Sequence, residues 1–334
     1  MKIKLAFITL FCASAGANAA CGTASCPINT QWDAQGLSNE RGLRVDLRYS
    51  YTRPNKLRSG SNRVAPEAPA NTGLEIENRR TINQLVNADI DYAINERWSV
   101  ALGLPLVIRD HAHTLDSTDA PVSGTPQQAK FTELGDIRAV GSFKFDLDDH
   151  LSGSGVRFGL KLPSGTTTRN MDAQDPAEAP GTPYALERSA QPGTGTTDLI
   201  LGAYYYHELA DSPWGWFTSL QGQTALNTHK DYQPGDDVVF DLGARYALSP
   251  KLTGLLQTNF HYRDRDSGLE AEPTSGGYSV NLSPGLSYSV AAKTRVYGFV
   301  QLPLYQYVYV DKAEPTFGQL TASWTLSLGV SQTF

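Results

Sequence analysis

At 334 residues, with 28 basic against 34 acidic side chains, the chain carries a formal net charge of −6 and offers no basic footprint for nucleic acid. No run of eighteen or more apolar residues exists beyond the amino-terminal leader, so helical membrane spans are excluded. A hydrophobic content of 40% and a negative mean hydropathy suit either soluble domains or a β-barrel whose alternate residues face a wet lumen, and only periodicity separates the two.

Lys2 and Lys4 supply a basic region, residues 5–12 an apolar core, and Ala17, Asn18, Ala19 and Ala20 a small-residue cleavage site. Together they predict a signal peptide over residues 1–20. Cys21 follows directly, but a lipobox wants Leu three residues earlier, where Asn18 stands. Cys21 and Cys26 then remain in an exported chain, and their C-x4-C spacing predicts a small disulfide loop rather than a C-x-x-C redox pair. Residues 21–41 are rich in Asn, Gln, Ser and Gly and poorly periodic, and they are expected to form a periplasmic or luminal segment ahead of the barrel.

Period-two alternation begins at residues 43–52, where Leu43, Val45, Leu47, Tyr49 and Tyr51 oppose Arg44, Asp46, Arg48 and Ser50. It recurs at residues 81–94, 98–109, 135–145, 156–162, 198–207, 216–226, 238–248, 252–263, 278–290, 295–308 and 319–334. In the third segment Trp98, Val100, Leu102, Leu104, Leu106 and Ile108 share a face. In the fifth, Val156, Phe158, Leu160 and Leu162 oppose Arg157 and Lys161. Twelve segments make an even count, as bacterial barrels require.

The connections alternate in length, which a soluble sandwich has no reason to do. Short ones fall at residues 95–97, 146–155, 208–215, 249–251 and 291–293; long ones at 53–80, 110–134, 163–197, 227–237, 264–277 and 309–318. This is the rhythm of short periplasmic turns and long extracellular loops. Tyr49, Tyr51, Tyr92, Trp98, Tyr204, Tyr205, Tyr206, Trp214, Trp216, Tyr246, Tyr288, Tyr305, Tyr307 and Trp324 fall near strand ends and predict two interfacial girdles. The last strand sets Trp324, Leu326, Leu328, Val330 and Phe334 on one face. A closing aromatic in this phase resembles the terminal strand through which outer-membrane barrels address the assembly machinery. The fold class expected is therefore all-β: a twelve-stranded antiparallel transmembrane barrel over residues 42–334, placed in the cell outer membrane.

The wet faces carry both signs: Arg44, Asp46, Arg48, Asp89, Asp91, Arg109, Asp136, Arg138, Lys144, Arg157, Lys161, Asp198, Asp241, Arg245 and Arg263 are the lumen-lining candidates. Such charges are tolerable only in a wet lumen or in pairs across it. His111 and His113, near Asp116 and Asp119, are a candidate divalent-metal pair at the edge of a loop. No cofactor signature is present. No catalytic constellation is convincing either: Asn259 and His261 share a strand face, as an outer-membrane phospholipase would need, but no motif supplies the nucleophile.

Leu134-Gly135-Asp136-Ile137-Arg138, and Gly159-Leu160-Lys161-Leu162-Pro163-Ser164-Gly165, resemble the outer-membrane transporter family named for the meta-pathway of phenol degradation. The resemblance implies a barrel that moves hydrophobic or aromatic compounds. The expected function is thus a channel or transporter for small molecules, with outer-membrane lipid, the assembly machinery and a small solute as partners. The rivals are a charge-plugged scaffold barrel holding a periplasmic or surface partner and a membrane-embedded hydrolase.

Overall fold

The computed structural model describes residues 28–37, 42–64, 75–115, 126–145, 147, 150–174, 181–312 and 318–334. The signal peptide, Cys21 and Cys26 lie outside the described residues.

Twelve antiparallel strands close on themselves: β1 Gly42–Ser59, β2 Glu75–Ala93, β3 Trp98–Leu115, β4 in two pieces (Pro126–Leu134 and Arg138–Phe145), β5 Ser152–Lys161, β6 Asp198–Glu208, β7 Trp214–Ala225, β8 Asp237–Ala247, β9 Leu252–Arg263, β10 Gly277–Ala291, β11 Thr294–Val308 and β12 Gln319–Thr333. Each strand pairs with its sequence neighbours, and β12 pairs with β1 to seal the barrel. At that seam Asp46 stands opposite Ser331 and Tyr51 opposite Leu326. Ser50 and Ser327 join hydroxyls at 2.8 Å on the inner face, Thr52 and Thr325 at 2.9 Å. Closure leaves no sheet edge to expose unpaired peptide groups to hydrocarbon, which is why an all-β chain can span a bilayer at all.

The alternation sorts the faces. Leu47, Val100, Leu201, Leu220, Leu242, Leu256, Leu286 and Leu328 are all exposed on the outer wall. Their inward neighbours, such as Gln257, Asn259, Ser283 and Ser327, are almost wholly buried. An apolar outside around a polar inside is stable only in lipid, and the protein is a transmembrane β-barrel.

Two segments read as loops are strand. β1 continues to Ser59, β2 starts at Glu75, and β3 reaches Leu115 opposite the first piece of β4. Alternation fades there because the strands leave the hydrocarbon layer and no longer need one greasy face. The girdle also loses two members. Tyr204 and Tyr206 point inward and are buried, while Tyr205 stays outside against Trp216. Three consecutive tyrosines on a strand cannot share a face.

Candidate functional site: a plugged lumen

Residues 28–37 lie inside the barrel. Trp32 is fully buried, and it packs with Ile28 against Leu255, Tyr297 and Phe299 of β9 and β11. Its ring meets Tyr297 edge-on at 4.7 Å, and its Nε1 donates to Asp46 at 3.1 Å. Ala34 sits among Tyr204, Tyr206 and Phe217. Gly36 has a φ of +68°, and a Cβ there would lie 2.6 Å from the Tyr206 ring, so the segment turns and approaches the wall where only glycine fits.

Five arginines hold this short segment. Arg48 donates to the Ile28 carbonyl and the Thr30 hydroxyl. Arg157 grips both Asp33 oxygens at 2.9 and 3.0 Å, with Arg44 3.6 Å from the same carboxylate. Arg245 donates to the Gly36 carbonyl at 3.1 Å, and Arg295 to that of Leu37 at 3.0 Å. Burial alone would raise the Asp33 carboxyl, but the Arg157 and Arg44 guanidiniums outweigh it and bring its pKa to about 2. The clamping strand residues lie near the short-turn ends, so the plug fills the periplasmic half of the lumen.

The remaining wall charges pair with neighbours. Arg44 bridges to Asp91 at 3.2 Å. Lys144 donates to the Tyr206 hydroxyl, Arg109 to Asn83, and Arg263 pairs with Asp266 at 2.8 Å. Asp241 accepts from Asn259 at 2.6 Å and from Ser219 at 2.9 Å. Asp89 and Arg138 line the open space between plug and wall.

The two sequence motifs meet in space. β4 breaks at Gly135, Asp136 and Ile137, and the end of β5 supplies what the broken ladder lacks. Ser164 Oγ accepts from the Ile137 amide and donates to the Gly135 carbonyl, both at 2.9 Å. The Gly165 amide donates to Asp136 Oδ1 at 2.9 Å, and Thr194 donates to Oδ2 through both its amide and its hydroxyl. Lys161 lies between Asp136 at 3.2 Å and Asp198 at 2.8 Å, all three buried. Gly165 packs on Gly193 so closely that a Cβ on either would fall 2.6 to 2.7 Å from backbone atoms of the other. Gly135, Asp136, Ile137, Lys161, Ser164 and Gly165 are therefore joints in one structural knot, at the point where β4 breaks and beside residues 193–194. Residues 183–197 cover the inner face of β3 and β4 with Leu186 and Ala190 against Val107, Ala129 and Phe131.

Between plug and wall remains a cavity of about 200 Å³. Asp46, Arg48, Asp89, Asp91 and Arg138 line one part, and Ala101, Val140, Ile200 and Val239 another. Sequence reading listed the charges and missed the apolar patch. The available signal was that residues 199–201 run Leu-Ile-Leu without alternation, so one of them must face inward.

His111 does not lie at a loop edge. It is buried on the inner face of β3, with Nδ1 3.0 Å from the Thr81 hydroxyl and Nε2 3.6 Å from Glu187. The His113 side chain lies outside the described residues, among which no group of three metal-ligating side chains occurs. His261 contacts Asp237 at 2.6 Å, and Asn259 accepts from Ser283 at 2.7 Å, so both belong to hydrogen-bonded wall networks.

No curated protein matches the sequence. In fold, the chain is similar to a solved outer membrane channel from Pseudomonas putida F1, with a TM-score of 0.63 at 11% identity over 92% of this chain and 100% of that one. The toluene transporter TbuX from Ralstonia pickettii aligns at a TM-score of 0.45 and 11% identity over 90% and 91% of the two chains. The family model described as MetA-pathway of phenol degradation matches residues 115–309, which include both motifs of the knot. The chain belongs to that family of outer-membrane barrels.

Proposed function

We propose that the protein is an outer-membrane channel for small amphipathic molecules of the aromatic, phenol-like kind, without chemistry of its own. The observation that carries this reading is the two-sided cavity between plug and wall. A benzene ring can lie against Ala101, Val140, Ile200 and Val239 while a hydroxyl faces Asp89, Arg138 and Arg48. A sugar would leave hydroxyls unpaired against the apolar part, and an alkane would strip water from the charges without replacing it. The plug sets the second feature of the function: passage to the periplasm requires residues 28–37 to shift or leave.

Uptake by cells with an intact outer membrane tests the reading. At low external phenol, cells that make the protein should take it up faster than cells without it, whereas a disaccharide should enter equally in both. Equal phenol uptake in the two strains would overturn the proposal.

A further inference from the structure

The extracellular end of β1 turns back through a tight hairpin into residues 62–63, and this places Arg58 directly opposite Arg63. Lys56 lies two residues before Arg58, and both arginines act on it as like charges. Like charges opposite each other in a ladder repel and destabilise it. Among the described residues no carboxylate pairs with any of the three. Arg58 spends one nitrogen on the Ser61 carbonyl at 2.6 Å, and its Nε is buried with no hydrogen-bond partner. Among the described residues, three cations thus stand together with nothing to neutralise them.

Their position names the partner. Gly60 bridges to Val308, which seats the hairpin over the top of β11. Beneath it the outer wall presents Leu304, the most exposed residue of β11, then Leu302 and Val300. Tyr278 stacks with Tyr305 at 5.8 Å and with Tyr307 at 4.8 Å beside this column. The surface is therefore an apolar column with interfacial tyrosines and a cationic cap, complementary to a lipid with acyl chains below and phosphate at the headgroup.

We propose that Lys56, Arg58 and Arg63 form a binding site for a phosphorylated glycolipid of the outer leaflet, its phosphate seated between the two arginines and its acyl chains along Val300, Leu302 and Leu304. Phosphate would relieve the repulsion and supply acceptors for the fork of guanidinium donors.

The test uses the whole barrel in detergent with lipid A, measured by native mass spectrometry. The parent should retain lipid A, and the triple change Lys56→Gln, Arg58→Gln, Arg63→Gln should weaken binding on the order of a hundredfold, each cation near an anionic headgroup being worth about fivefold. Dephosphorylated lipid A should bind the parent no better than it binds the variant. Arg63→Gln alone, in the exposed arm of the hairpin, should weaken binding about fivefold and serves if the triple variant does not fold. Equal lipid A binding by parent and folded variants would overturn the site, as would equal binding of the phosphorylated and dephosphorylated lipids. Displacement of lipid A by inorganic phosphate at equal concentration would assign the cluster to a free anion and overturn the lipid.

Discussion

Replacing Trp32 with Ala should open the lumen while leaving the barrel folded. The ring is 1% exposed, touches Ile28, Leu255, Tyr297 and Phe299, and donates to Asp46. Truncating a buried Trp costs about 3–5 kcal/mol. Here the loss falls on the docking of residues 28–37, because the strand ladders make no use of Trp32. Part of it comes from Asp46, itself 3% exposed, which keeps only the Tyr297 hydroxyl at 2.6 Å of the two donors named. At about 1.4 kcal/mol per power of ten, the undocked fraction should rise by roughly two to three and a half powers of ten. Single-channel recording in planar bilayers reads this as long, high-conductance openings that the parent shows rarely. Heat-modifiable gel mobility checks that the barrel is intact. A folded Trp32→Ala protein with the parent's conductance and open probability would refute the plug.

Asp33 ties plug opening to acid. Its folded pKa of about 2 lies below the ordinary aspartate value of about 4, so its clamp is fully present above pH 4 and is lost as pH falls through 2. Parent conductance should therefore stay level from pH 7 to 4 and rise below that, while Asp33→Asn should be open throughout; a flat parent profile down to pH 2 contradicts this. In the knot, Lys161→Met strands two buried carboxylates, Asp136 and Asp198, and should cost about 3–5 kcal/mol in unfolding experiments in detergent. A loss below about 1 kcal/mol would mean the trio is not coupled. Gly165→Ala puts a methyl 2.7 Å from the Gly193 Cα and should cost about 1–3 kcal/mol in the same assay, whereas Ala at Gly222, whose Cβ would lie 4.0 Å from its nearest neighbour, should change far less.

The barrel was legible because lipid imposes period two on every crossing, and because turn and loop lengths differ between the rims. Legibility ended where lipid no longer dictates the pattern. The upper parts of β1 to β4 lost their alternation, so Lys56 and His111 read as loop or loop edge. Inside, a wall facing a plug follows the plug: Tyr204, Tyr206, Phe217 and Phe299 are inward and apolar because residues 28–37 cover them, a contact between positions far apart in sequence that no local pattern encodes. The charges were found as a set, but the use of Arg48, Arg157 and Arg245 on a segment of the same chain was not. The motif residues Asp136 and Lys161 drew attention as family marks, and their physical reason, a shared break in the wall, needed the register of β4 against β5.

The central claim is that the cavity between plug and wall takes an aromatic solute. Phenol added to single channels of the parent should interrupt the ion current in a concentration-dependent way, and Val140→Asp, which makes the apolar part of the cavity ionic, should weaken that block about tenfold or more. A parent current indifferent to phenol, or equal block of parent and Val140→Asp, would contradict the account.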